Sequence, residues 1–224
     1  MELDPASLDL GLKYKLLVGA VVPRPIAFVS TVSPDGVPNL APFSFFAGVS
    51  ANPWRLLFCP ANNSDGSEKD TLRNCAPAPV GTGECCISIV SEAIARRMAI
   101  TAAGVPFGDS EFDLSALTPA PSKVVRPARV TESPITFECR VHEIMRLAPG
   151  APAGGNVVLA EPVWVHAHDG LIDERMRIDP DALRAVGRMA GLGYCTTRQQ
   201  FDLSWGHDAV TEPEIDFEAR FGAR

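Results

Sequence analysis

The chain has 224 residues, 46% of them hydrophobic and 21% charged, with a formal net charge of −7. That length allows one large or two small domains, and the composition is that of an ordinary globular protein, which excludes wholesale disorder. The acidic balance argues against a nucleic-acid partner, which needs a basic face.

The N-terminus, Met-Glu-Leu-Asp-Pro, is acidic and has no apolar signal region. No apolar run of about eighteen residues follows, so no membrane span is expected and the expected compartment is the cytoplasm. Residues 6–19 read as a short helix, with Leu8, Leu12, Leu16 and Leu17 on one side. Pro23 and Pro25 then impose extended backbone. Residues 25–32 are apolar on both faces, as in a strand buried inside a barrel or sandwich, and end on the polar pair Ser30-Thr31. Residues 33–36, Ser-Pro-Asp-Gly, signal a hairpin because Asp-Gly tolerates positive φ. Residues 37–50 and 55–60 are the next strands, with Pro42 marking a bulge or an edge.

A polar loop over residues 62–68 leads into Lys69-Asp70-Thr71, which opens a short helix to Asn74. Lys supplies charge, Thr a hydroxyl, and a helix start free N–H groups, a combination that suits a phosphate. Residues 84–90 are a second buried strand. Ser91 is the expected cap of a helix running to about Thr101, with Ile94 and Met98 one turn apart. Residues 104–122, rich in Gly, Pro and Ser, read as a long loop. In residues 136–142, Phe137, Cys139 and Val141 alternate inward, while Glu138, Arg140 and His142 face out. Residues 149–155 read as a turn or mobile loop, and 157–168 as a strand broken by Pro162. Asp179-Pro180 starts a last helix, with Leu183, Val186 and Ala190 as its apolar stripe and Gly191 as its end. Short strands, turn signals and few helices together indicate a mainly β barrel or sandwich with peripheral helices. No repeat or compositional break divides it, so a single domain over 1–224 is expected.

Several motifs are absent. Gly81-Thr82-Gly83 and Gly191-Leu192-Gly193 lack the third glycine of a dinucleotide loop, and there is no Gly-x-Ser-x-Gly elbow. His166-Ala167-His168 has metal-site spacing, but no third ligand lies nearby in sequence, and a solvated or packed pair is the simpler reading. The six cysteines form no Cys-x-x-Cys and read as buried small hydrophobes.

The ordered segments 24–31 (Arg-Pro-Ile-Ala-Phe-Val-Ser-Thr), 39–46 (Asn-Leu-Ala-Pro-Phe-Ser-Phe-Phe), Asn52-Pro53 and Lys69-Asp70-Thr71 resemble those of the flavin reductase-like, FMN-binding split-barrel proteins. The resemblance continues through Ser110-Glu111-Phe112, Glu132-Ser133-Pro134 and Glu138-Cys139, and covers about Tyr14 to Tyr194. Residues 188–194 are similar to an Arg-x-x-Gly-x-x-Tyr element of the longer members. The resemblance implies a six-stranded Greek-key barrel, an FMN-binding split β-barrel, with a C-terminal extension from about residue 178. It implies a homodimer with FMN near the subunit interface. It places Ser30 and Thr31 along the flavin, and Asn39, Leu40, Ala41 and Ser44 at its ring and ribityl chain. Lys69, Asp70 and Thr71 fall near its phosphate, with Arg24 as a further contact. Trp54 stands where many relatives carry a second proline. The implied activity is hydride transfer from NADH or NADPH to flavin, with no side-chain acid or base required and so no catalytic residue assigned. A partner oxygenase would then receive the reduced flavin. Two alternatives stand beside it: a flavoprotein with tightly held FMN acting on its own substrate, and a flavin-binding electron carrier without NAD(P)H turnover.

Overall fold

The computed structural model describes residues 1–106, 109–206 and 209. A 3₁₀ turn (Pro5–Ser7) precedes helix α1 (Leu10–Ala20). Strands β1 (Ala27–Val32), β2 (Pro38–Phe43), β3 (Phe46–Ala51) and β4 (Trp54–Phe58) follow. Then come α2 (Asp70–Cys75), β5 (Glu84–Ile89), α3 (Ala95–Ile100), α4 (Glu111–Ser115), β6 (Pro119–Ala120) and β7 (Arg129–Val130). Two long strands, β8 (Ile135–Arg146) and β9 (Asn156–Ala167), lead to α5 (Pro180–Leu183) and the hairpin β10 (Val186–Arg188) and β11 (Tyr194–Thr196).

Seven strands form one antiparallel sheet in the order β2-β1-β5-β8-β9-β4-β3. Its two edges, β2 and β3, are neighbours in the chain, joined only by Ser44 and Phe45. Laid flat, seven strands spaced about 4.8 Å apart would hold their edges about 29 Å from one another. Phe43 and Phe46 are three Cα steps apart, at most about 11 Å. The sheet must therefore curl until its edges nearly meet, yet no ladder joins them. This is a split barrel of seven strands. The seventh arises because the expected single strand over 37–50 breaks at Ser44-Phe45 into β2 and β3.

The barrel interior holds Ala27, Val29, Phe43, Leu56, Phe58, Leu72, Cys75, Cys85, Ile87, Cys139, Val158 and Ala160. The rings of Phe43 and Phe58 meet there at a tilt of 35°, 5.5 Å between centres. Leu72 and Cys75 belong to α2, so this helix lays its apolar side into the barrel. A second core on the outer face gathers Phe28, Leu40, Val90, Ile94, Met98, Phe112, Leu117, Val130 and Val186. The expected two-faced burial of the strands at 25–32 and 84–90 is thus found. The cover on their outer face comes from this chain's own α3, α4 and β7, so it does not by itself call for a second subunit.

Other expectations change. Ser91 does not cap a helix, because it bridges to Ala185 while Val186 N–H donates to Val90 C=O, and α3 starts only at Ala95. The loop expected over 104–122 contains α4, recruited because Phe112 and Leu117 enter the outer core. Asp179 caps α5 as expected, accepting from Asp181 and Ala182 N–H, but the helix stops at Leu183. Val186 continues as a strand, since its N–H is taken by Val90. Pro162 does not break β9; it sits opposite Cys139 at a register shift in β8. Phe137, Cys139 and Val141 face inward as expected, but Glu138 is fully buried rather than solvated. Its carboxylate accepts from Lys123, Val124 and Val125 N–H and from His166. Burial pushes its pKa up, but these donations outweigh that and hold it below the usual carboxylate range.

Gly81 packs over the end of α2. A Cβ there would lie 2.3 Å from the Arg73 carbonyl oxygen and 2.5 Å from those of Asn74 and Ala76. These are backbone atoms that cannot swing aside. Gly81→Ala is expected to destabilise the protein by about 2 kcal/mol, as overpacking does. A thermal melt within about 1 °C of wild type would contradict this contact.

Candidate functional site

Strand β2 follows β1 across the Ser33–Gly36 turn, where Gly36 adopts φ 89° and Ser33 C=O accepts from Gly36 N–H at 3.0 Å. The pairing sets Asn39 opposite Thr31 and Ala41 opposite Val29. Pro42, which has no N–H to give, is tolerated because β2 is an edge strand. Asn39 is buried and donates through Nδ2 to Thr31 Oγ1 and Thr71 Oγ1, each at 2.9 Å. Asn74 donates to the same Thr31 hydroxyl at 3.1 Å. This network fixes α2 against β1 and β2. The preceding loop is held by Asn62, whose Nδ2 donates to Ala148 and Ala151 C=O, and by Asn156, which donates to Asn62 Oδ1.

A cavity of about 350 Å³ lies against the open edge of β2, within the range of small-ligand sites. Asn39, Ala41, Pro42 and Phe43 form one wall. Asn63, Lys69, Asp70 and Thr71 form the second, and Thr101 to Val105 with Glu111 the third. Of the residues expected at a ligand, Asn39, Ala41, Lys69, Asp70 and Thr71 come together here. Lys69 is exposed, with Nζ 3.1 Å from Asn63 Oδ1. Asp70 pairs with Arg73 within α2, as an orienting residue would. The N–H groups of Asp70 and Thr71 open the helix and have no partner inside it.

The other expected residues stand elsewhere. Leu40 turns its side chain into the outer core and its N–H to Glu111. Ser30 faces outward and donates to Ala128 C=O, and Thr31 lies beneath Asn39. Ser44 sits at the seam between the barrel edges, where its Oγ accepts from Arg24 Nε at 3.3 Å. Arg24 is buried, and Nη1 donates to Val18 and Val21 C=O at 2.6 and 2.8 Å, Nη2 to Met189 C=O at 3.1 Å. The structure thus uses Arg24 as a clamp between the end of α1, the seam and the β10–β11 hairpin.

Glu111 and the 101–105 segment were not anticipated as cavity residues. Glu111 is buried, and its Oε2 accepts from Leu40 N–H at 3.0 Å. Burial raises its pKa above the ordinary carboxylate value, and the Asp70 charge adds to that. His166 and His168 do not meet: the first bonds Glu138 and the second the Thr131 carbonyl. Cys75, Cys85, Cys86 and Cys139 are buried free thiols, and burial pushes Cys86 up to about 12.

Residues 18–193 match the family described as flavin reductase like domain. The chain belongs to that family, and with it to flavin-dependent redox proteins. It is 32% identical to nitrilotriacetate monooxygenase component B from Bacillus cereus, covering 91% of this chain and 98% of that one, with a TM-score of 0.84. It is 27% identical to 2-nitrobenzoate 2-nitroreductase from Pseudomonas fluorescens, covering 96% and 99%, with a TM-score of 0.82. An uncharacterised protein of Aquifex aeolicus is 34% identical over 194 residues, covering 87% of this chain and 94% of the relative. Among the described residues, no helix is long and apolar enough to cross a membrane.

If Arg24 is a clamp, Arg24→Met leaves three carbonyls and the seam without their donor. Unpaired buried groups cost about 1–3 kcal/mol each, so a loss of about 3 kcal/mol or more is expected in a denaturant melt. Flavin affinity of the folded variant should stay within about threefold of wild type. Unchanged stability with a selective loss of FMN would instead make Arg24 a ligand.

Proposed function

We propose that the protein binds FMN in the cavity beside β2 and acts as an NAD(P)H:flavin reductase, handing reduced flavin to a partner oxygenase. The observation that carries this reading is that Lys69, Asp70 and Thr71 at the start of α2 and Asn39 of β2 line one cavity. That donor set suits a phosphate with a polar chain attached. The likeness to a monooxygenase component over nearly the full length of both chains supports the oxygenase partner.

Bound FMN supplies a two-electron acceptor for hydride from NADH or NADPH. The chain's own residues position it and need not move a proton. Lys69 neutralises the phosphate and Asn63 steadies Lys69. The Asn39–Thr31–Thr71 network holds the α2 donors at a fixed distance from β2. Ala41 and Pro42, small and without free charge, give the flat ring a surface to lie on.

A second reading is favoured by the likeness to a nitroreductase: FMN held tightly, with the protein reducing its own nitroaromatic substrate. Desalting separates the two. Loss of FMN on the column, with NADH oxidation restored by added FMN, supports the reductase; retained FMN and nitroaromatic-dependent turnover support the second. A protein that binds no FMN at tens of micromolar refutes both.

Lys69→Ala removes a charge-assisted contact of about 1.5–3 kcal/mol. FMN affinity should fall roughly ten- to hundredfold, and riboflavin affinity should hardly change. Equal effects on both ligands would remove the phosphate from Lys69.

We further propose a homodimer. Leu12, Leu16 and Leu17 of α1 are each nearly half exposed, and only Val18 of that helix is buried. Five of the six β3 residues are exposed as well. A second copy would cover both surfaces. Light scattering should give about twice the 23.9 kDa chain mass; a monomer at micromolar concentration would overturn it.

A further inference from the structure

The cavity beside β2 contains a group that a phosphate site would not choose. Glu111 from α4 puts a buried carboxylate on its wall, close enough to Asp70 for the two charges to interact. An ionised carboxylate repels phosphate and has no proton to donate. It does accept strongly from hydroxyl or N–H donors. A ligand suited to all three walls therefore carries an anion for Lys69 and donor groups for Glu111.

Glu111 is also well placed to be a fixed acceptor. Strand β2 is an edge, and the Leu40 N–H is given to Glu111 and not to β1. Glu111 Oε2 takes that N–H at 3.0 Å. Ser115 Oγ donates to Glu111 C=O at 2.7 Å and steadies α4. The carboxylate is thus pinned from one side while its residue lines the cavity on the other. A pre-positioned acceptor loses little entropy when a ligand arrives.

We propose that Glu111 is the acceptor for the hydroxyl chain of the bound flavin, binding the polyol and not the ring or the phosphate. This rests on the flavin reading above. The charged groups that face Glu111 are Asp70 and Lys69 at the start of α2 and Asp109 in the segment before α4. Its own helix carries Asp113. From α3, Arg97 is held by Glu132 and Ala116 C=O, and Arg96 is exposed. Strand β2 presents no charge. Acidification protonates Glu111, weakens it as an acceptor and lowers polyol affinity. Burial moves that loss to higher pH than an ordinary carboxylate would show.

The test uses the full chain and three probes: FMN, riboflavin, and lumiflavin, which keeps the ring but lacks the polyol. Fluorescence titration of wild type comes first; if no flavin binds, it is the flavin reading that fails. With binding established, Glu111→Ala should weaken FMN and riboflavin alike by about tenfold or more and leave lumiflavin unchanged. Thermal melting confirms that the variant is folded. Glu111→Gln can still accept the Leu40 N–H and serves if the alanine variant does not fold. For wild type, riboflavin affinity should fall about threefold or more from pH 8 to pH 5, while in Glu111→Gln it should be flat. Equal losses for lumiflavin and riboflavin, or the same pH profile in both proteins, would overturn the assignment while leaving the flavin reading in place.

Discussion

The structure depends on closing a seven-stranded sheet through a two-residue link. Ser44 and Phe45 carry the chain from one edge of the barrel to the other, and a buried guanidinium secures that passage. Arg24 donates to Ser44 Oγ and lies 5.9 Å from the Phe45 ring centre. Among the described residues, no carboxylate pairs with it. Instead it sits at the C-terminal end of α1, where the Val18 and Val21 carbonyls offer unpaired lone pairs and the negative end of the helix dipole. The same group reaches Met189, and backbone bonds join Arg24 to Arg188. One side chain therefore ties the first helix, the seam and the late hairpin together.

The seam leaves β2 with an unpaired edge, and the site is built there. An edge strand offers N–H and C=O groups that must be covered, paired or used. Here Glu111 takes the Leu40 N–H, Pro42 has none to offer, and the cavity lies against the rest. The Asn39 network then fixes α2 relative to that edge. A buried amide with both N–H bonds made tolerates little displacement, because any shift strands a polar group away from water. The polarity of the cavity wall and the fixing of α2 on the sheet are thus served by the same few side chains.

The parts of this arrangement written in local patterns were legible in the sequence. Two-faced apolar strands at 25–32 and 84–90 have no solvent side, and Pro42 announces a bulge or an edge, of which the structure takes the edge. Asn39 and the Lys69–Thr71 run entered through their order along the chain. What stayed hidden depends on distant pairing. Glu111 meets Leu40 across 71 positions, and nothing near Glu111 in the sequence marks it as an edge cover. Ser91 has the look of a helix cap until the 184–186 segment arrives to pair beside it. Val186 fits a helical stripe after Leu183 until Val90 takes its N–H. In each case a backbone hydrogen bond to a remote strand outweighed a local preference worth a fraction of a kcal/mol to about 1 kcal/mol.

The apolar residues of α1 follow from the same logic. The sequence gives that helix a leucine stripe, which ordinarily faces a core. The outer core is already filled by α3, α4 and β7, and the interior by α2. Arg24 fixes the end of α1 at the seam, where Val18 is the one residue of that helix to be buried. The stripe is left on the surface beside the Arg24 clamp. Strand β3 is exposed for a related reason: the curl that brings it near β2 leaves its outer edge without a partner. Both surfaces are consequences of splitting the barrel, not of poor packing. A sheet that ends in two unpaired edges leaves such strand and helix surface uncovered within the chain.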